Sequence, residues 1–368
     1  MRAISDDAIP RGLRLLLGAA AATVVLAGLR AIDFLVAPVF LALVLTVLVH
    51  PVSQWLRSKG VPGWAATTAM LVLVYVLILG LTVSLVVSLG RFAAILPEYE
   101  DTWNDLLANG TAALDKLGVD SKELAALRDD MDLSKIGDVV LGLVGGLVDM
   151  LSSVVFICAA ALMMTFDAGK FPANLAAVTR DRPGIGAAFS SFAHGTRTYL
   201  LVSTVFGFLV AVLDTIALAF MGIPVPVLWG LLAFITNYIP NIGFVIGLIP
   251  PAVLALLEGG PGLMIAVIVA YSVINIVLQS VIQPKFVGDA VGLATTVTFV
   301  SLIFWTFVMG PLGALLAIPL TLFAKAVLVD VDPRVAWVDT LASNKDSRRE
   351  EAAPAPPVPE VRTATPTP

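Results

Sequence analysis

The sequence is poor in the groups that soluble proteins use for chemistry. Of its 368 residues one is cysteine, two are histidine and 13% are charged, against about 25% charged in soluble globular chains. The lone cysteine, Cys158, lies between Ile157 and Ala159, which excludes an internal disulfide framework or a cysteine metal centre. His50 and His194 are too isolated to form a zinc site unless carboxylates join them. No glycine-rich loop ending in lysine and Ser/Thr is present, so an ATP-driven pump is disfavoured. Gly-x-Ser-x-Gly, His-Glu-x-x-His and paired intramembrane aspartates are also missing, which argues against an intramembrane enzyme. No cofactor, metal or nucleic-acid partner is expected.

What fills the chain instead is hydrocarbon. Hydrophobic residues make up 58% and the mean hydropathy is +0.96. Roughly 20 consecutive apolar residues cross a bilayer as a helix, and several windows reach that length without an internal charge. The windows are solidly apolar, whereas a barrel strand would alternate. The expected fold is all-α: a polytopic membrane protein with six to eight spans and membrane lipid as its solvent.

The expected organisation is a cytoplasmic N-terminus over 1–14, three spans within 15–90, and an acidic extracytoplasmic segment over 91–138. A fourth span over 139–166, a cytoplasmic linker over 167–197, a C-terminal membrane core over 198–329 and a tail over 330–368 follow. The run Leu15 to Leu29 reads as a signal anchor, because the next apolar run starts too soon for a cleaved signal. Of the 22 lysines and arginines, fifteen fall on the side holding both termini, six on the other, and Lys285 is undecided. By the positive-inside rule both termini are expected in the cytoplasm. Leu106, Leu107, Leu114 and Leu117 give the acidic segment a helical stripe suited to the membrane surface or to a neighbouring subunit. The proline-rich tail lacks a packable face and is expected to be disordered.

Two apolar runs in the C-terminal third are interrupted by helix breakers. The first holds Pro240, Gly243, Gly247, Pro250 and Pro251; the second holds Gly310, Pro311, Gly313 and Pro319. Proline removes a backbone donor and leaves carbonyls that lipid cannot satisfy, so such breaks persist where protein or water receives them. Broken helices of this kind mark substrate and ion sites in transporters. Plain kinks are the simpler alternative. If both runs cross the membrane there are eight spans, and if both are re-entrant hairpins there are six.

The same residues carry a resemblance. Asn237-Tyr238-Ile239-Pro240-Asn241-Ile242-Gly243, then Ile249-Pro250-Pro251, Gln283-Pro284-Lys285 with Gly288, Val291-Gly292-Leu293, Phe304-Trp305, Gly310-Pro311-Leu312-Gly313 and Ile318-Pro319-Leu320 resemble the AI-2E family of transporters. The pattern covers nearly all of residues 223–327 and is most similar to the autoinducer-2 exporter branch. The resemblance implies a secondary transporter exporting a small polar solute such as the quorum-sensing signal autoinducer-2, or else a sodium/proton antiporter, and a homo-oligomer. Ala294-Thr295-Thr296 departs from the family, where a small polar residue and proline follow the glycine-leucine pair, and this leaves the local helix start open. A nontransporting scaffold working through the acidic segment is the alternative from another class.

The candidate solute or ion ligands are Asn237, Pro240, Asn241, Gly243, Asn275, Gln279 and Asp214. Asn275 and Gln279 are four apart and share a helix face, where they could bond either a polyhydroxylated ligand or another helix. Asn237 and Asn241 flank the Pro240 break and could cap its helix ends. Asp214 is either a proton or cation relay inside the span or an aspartate at the outer interface; Asp149 and Asp167 lie nearer span ends. Lys285, Asp289, Gly310, Pro311 and Gly313 are candidate gate residues. Arg197 with His194 reads as a topological anchor, and Trp229, Tyr238 and Trp305 as interfacial or packing aromatics.

Overall fold

A computed structural model describes residues 10–116, 171–240, 242–283 and 293–331, with scattered positions between 135 and 164. These residues form helices and no sheet. Five stretches among them are long and apolar enough to cross a bilayer: Asp33–Ser58, Ile78–Ala112, Gly184–Phe220, Gly243–Ile282 and Thr295–Leu315. The chain is an all-α polytopic membrane protein. Asn241, Lys285, Asp289, Cys158, Asp149, Asp167 and the tail from 332 lie outside the described residues, as does most of the fourth expected span.

Helix α1 (Arg11–Ala31) bends at Ile32 into α2 (Asp33–Ser58). Next come α3 (Gly63–Ile95), a 3-10 turn at Leu96–Tyr99 and α4 (Glu100–Lys116). Later in the chain, α5 (Phe171–Asp181) leads into α6 (Pro183–Phe220). Helix α6 therefore begins inside the expected linker over 167–197 and runs without a break into the core expected from 198. Neither exposed His194 nor half-buried Arg197 interrupts it, because a charge costs a helix little where its head can reach a partner, and the Arg197 Nε donates to the Val47 carbonyl at 3.3 Å.

Helix α6 is the spine of the C-terminal core. Its first half, through Ala188, Phe192 and Leu200, packs against Ala37, Phe40 and Val44 of α2 and against Leu316, Ile318 and Leu320. Its second half, through Phe206, Val210 and Leu218, packs on the helices that follow.

Those helices fold back on themselves at the predicted breaks. Helix α7 (Pro226–Thr236) ends at the Pro240 turn, and α8 (Gly243–Asn275) returns along it. A β-carbon on Gly243 would fall 1.8 Å from the Thr236 carbonyl oxygen, and one on Gly247 would fall 3.5 Å from Ala233 Cα. These contacts make α7 and the first arm of α8 an antiparallel hairpin, hairpin 1. Helix α8 breaks again at Gly259 and Gly260, where Gly260 has φ +73. The arm after Pro261 runs back past the first and ends in a π-helical turn at Ile276–Ile282.

Hairpin 2 repeats the device. Helix α9 (Thr295–Leu315) breaks at Gly310, with φ +62, and α10 (Ala317–Lys325) follows. A β-carbon on Gly313 would fall 2.0 Å from the Trp305 carbonyl oxygen, and the Trp305 Nε1 donates to Thr321 Oγ1 at 3.0 Å. At roughly 1.5 Å per residue, the 11 residues of α7 reach only about 16 Å, half of a ~30 Å hydrocarbon core. The first arm of hairpin 1 is too short to span. Ala294, at φ −63 and ψ 144, is extended, so α9 starts at Thr295 without the family's proline.

Candidate functional site

A broken helix in lipid must place its freed backbone groups, and hairpin 1 places them on itself and on α6. Within the turn, the Ile239 amide donates to Thr236 O at 2.8 Å and the Gly243 amide to Ile239 O at 3.0 Å. The Tyr238 carbonyl accepts from the Tyr199 hydroxyl at 2.7 Å, and the Tyr238 hydroxyl lies 2.7 Å from Thr204 Oγ1. The turn is pinned along α6.

The α6 residues involved follow helical spacing. Tyr199, Ser203, Gly207, Val210 and Asp214 recur every three or four residues and form one stripe toward hairpin 1. Gly207 is small for a reason: a β-carbon there would meet Asn237 Nδ2 at 2.7 Å. That space lets the Asn237 amide donate to the Ser203 carbonyl at 2.9 Å.

Asn237 is also bonded from the other side. The Gln279 amide nitrogen donates to Asn237 Oδ1 at 2.9 Å and to Asn275 Oδ1 at 2.7 Å, while Asn275 Nδ2 donates to the Tyr271 carbonyl at 2.9 Å. Three neutral amides thus form a bar between α7 and the returning arm of α8. Gln279 sits within the π-turn, an irregularity that often marks functional positions.

Two cavities adjoin this bar. One, of about 280 Å³, is lined by Asn237, Pro240, Ser272, Asn275, Gln279 and Ser280 together with Ile239, Phe244 and Ile276. The other has room for about one water and is lined by Asp214, Thr236, Gly243 and Tyr271. Asn237, Phe244, Asn275 and Gln279 line both. Neither cavity is lined by a lysine, arginine or histidine.

Comparison with known proteins decides the family. The model for the AI-2E family transporter matches residues 19–331. The chain belongs to the AI-2E transporter family. It is 29% identical over 321 residues to the AI-2 transport protein TqsA of Escherichia coli K12, covering 86% of this chain and 92% of that one. It is 28% identical over 314 residues to YhhT of the same strain, covering 85% and 90%. A Haemophilus influenzae protein provisionally assigned to transport is 30% identical over 323 residues, covering 86% and 92%. This AI-2E chain is a multi-pass membrane transporter of bacterial type, not an enzyme.

In this AI-2E transporter the structure brings Asn237, Asn275, Gln279, Gly243 and Asp214 to one small cavity, and Pro240 to the larger one. Asp214 is fully buried among protein side chains, at the cavity it shares with Tyr271. The amides bond one another across helices. Gly310, Pro311 and Gly313 line neither cavity; they belong to the apex of hairpin 2. Trp229 is no interfacial anchor: it is 3% exposed, packs edge-to-face on Phe92 and donates to the Pro224 carbonyl at 3.0 Å. Sequence reasoning passed over Tyr271, Tyr199, Ser203 and Gly207. The small-residue stripe at helical spacing along α6 was the available signal for the last two.

Proposed function

We propose that this transporter exports a small uncharged polar solute of the autoinducer-2 kind, and that the 280 Å³ cavity beside the amide bar receives it. The observation that carries the reading is the chemistry of that lining. Three side-chain amides and two serine hydroxyls offer donors and acceptors, and no ionised group is present to demand a charged ligand. A polyhydroxylated solute can exchange its water shell for such groups, and Ile239, Phe244 and Ile276 can cover its carbon skeleton. The name of TqsA supports the choice of solute, since that relative is an AI-2 transport protein. Both termini are placed in the cytoplasm on the distribution of lysine and arginine.

The test is efflux of labelled autoinducer-2 from proteoliposomes holding the purified full-length protein. Wild-type efflux above protein-free vesicles, falling at least about tenfold in Asn237→Ala, is the expected result; a tenfold change corresponds to about 1.4 kcal/mol, within reach of one lost amide contact. Equal rates for wild type and protein-free vesicles would refute the solute. A sodium/proton antiporter on the same fold is the second reading, favoured by the buried carboxylate of Asp214, and sodium-driven proton flux without solute efflux would select it.

A further inference from the structure

The smaller cavity contains a feature that solute recognition does not use. Both carboxylate oxygens of Asp214 and the hydroxyl of Tyr271 are buried without a hydrogen-bond partner. Asp214 is 0% exposed and Tyr271 is 1% exposed, and both face the space with room for about one water. Buried polar atoms of this kind are nearly always paired, so three orphans around one small space call for an occupant.

The donors nearby are already engaged. Gln279 Nε2 serves Asn237 and Asn275, Asn237 Nδ2 serves Ser203, and Asn275 Nδ2 serves Tyr271 O. The Thr236 hydroxyl faces the Ala233 carbonyl at 3.4 Å. Among the described residues that line the cavity from α6, α7 and both arms of α8, Asp214 and Tyr271 are the only titratable groups, and none is cationic. An ionised Asp214 could draw on one side-chain donor, Tyr271. A carboxyl carrying a proton brings its own donor and needs only an acceptor, which one water or the phenol oxygen supplies. Asp214 is the one carboxylate among the described residues that line the space, and no group of three acidic, histidine or cysteine side chains stands among the described residues to hold a metal ion.

We propose that Asp214 is the proton-coupling site of this transporter, closed off from the solute cavity by the bar of Asn237, Gln279 and Asn275. Solute binding draws the Gln279 amide away from Asn237 and Asn275, because a hydroxylated ligand competes for the same groups. Opening the bar joins the two cavities, so water reaches Asp214. The carboxyl then releases its proton to that water and becomes a carboxylate; the reverse step, protonation from the opposite side of the membrane, restores the acid and lets the bar close. One proton moves for each opening. The coupling rests on the reading of the larger cavity as the solute site, while the protonation of Asp214 does not.

Two measurements on the purified full-length protein separate these. Infrared difference spectra between acidic and alkaline buffer need no solute, provided each sample is equilibrated for hours so that spontaneous openings of the bar let Asp214 exchange its proton: a buried-carboxyl carbonyl band that titrates in wild type, persists in Asp214→Glu and is missing from Asp214→Asn is expected. Absence of such a band in wild type overturns the site, whatever transport shows. The second measurement is efflux of labelled autoinducer-2 under an imposed pH gradient. For one coupled proton, each pH unit changes the limiting accumulation ratio by about tenfold, and Asp214→Asn loses that dependence while eluting as a single species like wild type. A gradient response retained in Asp214→Asn overturns the coupling. So does a response to sodium in place of protons. If the band titrates as expected but wild type moves no labelled solute, the solute assignment fails and the proton site stands.

Discussion

Hairpin 1 turns at Pro240 and hairpin 2 at Gly310, and in each a glycine on the returning arm lies against a carbonyl of the outgoing arm. Gly243 sits under Thr236 and Gly313 under Trp305. Their linings then diverge. Hairpin 1 carries the Asn237–Gln279–Asn275 amides and faces Asp214, whereas hairpin 2 crosses its arms with one indole-to-hydroxyl bond beside an apolar cavity of about 350 Å³ lined by Val297, Val300, Phe304 and Trp305. One face of hairpin 2 packs: Val308, Met309, Leu316 and Leu320 bury against α2 and α6, and Leu302, Ala314 and Ala317 receive Ile239 and Ile242 from the apex of hairpin 1. The backbone device is therefore not the site. It is a way to bring a helix end into the membrane core, and the side chains at the turn decide whether that end binds something or supports its neighbour.

The largest effect should come from breaking what the hairpins share. In Gly243→Ala and Gly313→Ala the new methyl meets a backbone oxygen at 1.8 and 2.0 Å, and no rotamer can move it away. Overpacking ordinarily costs about 1–3 kcal/mol, and here the arms must separate, so at least the upper end of that range is expected. Both variants should lose most of the monodisperse peak in detergent after a heating step that wild type survives. If only Gly243→Ala failed, the likeness of the two hairpins would be superficial.

The next effect separates them. Gln279→Leu keeps the volume of the side chain and removes the donor that holds both asparagines, leaving Asn237 Oδ1 and Asn275 Oδ1 unpaired at about 1–3 kcal/mol each. Autoinducer-2 efflux should drop by at least about tenfold. Trp305→Phe, confined to hairpin 2, should leave that rate within about twofold.

How much of this could be read beforehand follows from chain distance. Helices, breaks and the shared face of Asn275 and Gln279 are local, set by apolar run length, Pro/Gly content and a spacing of four, and they are visible in the sequence. The bond between Gln279 and Asn237 joins positions 42 apart and exists only because hairpin 1 and the break at Gly259 and Gly260 bring the π-turn back to the Pro240 turn. The burial of Asp214 is equally nonlocal: Gly222 and Pro224 follow it closely, which places it near the end of an apolar run, and only the packing of α7 and α8 over α6 encloses it. Tyr271 gave no signal, since a tyrosine in an apolar run reads as packing until its hydroxyl is found without a partner. Helix α6 runs unbroken from Pro183 past Arg197, whose Nε donates to the Val47 carbonyl, so the charge near Arg197 does not end the helix.

The smallest effects test whether hairpin 2 is only a support. Gly310 has φ +62 and ψ −148 with open space around its β-position, so Gly310→Ala meets no clash and carries only the cost of a side chain in a backbone region kept almost entirely for glycine, about 1–3 kcal/mol. A lower melting temperature with unchanged efflux per folded molecule is expected, and a specific loss of efflux would return Gly310 to the role of gate. Trp305→Phe is smaller still. It removes the bond to Thr321, and interhelical hydrogen bonds in membranes average about 0.6 kcal/mol, because partners are also found in the unfolded state. The ring remains to pack against Phe304, and Thr321 Oγ1 keeps its bond to the Ala317 carbonyl at 2.7 Å, so neither side is left with an unsatisfied group. A change in melting temperature too small to resolve, beside the tenfold loss in Gln279→Leu, would locate the transport chemistry in hairpin 1. A comparable loss in both would mean that the two turns move together, with Ile239 and Ile242 transmitting the motion through their seat on Leu302 and Ala317.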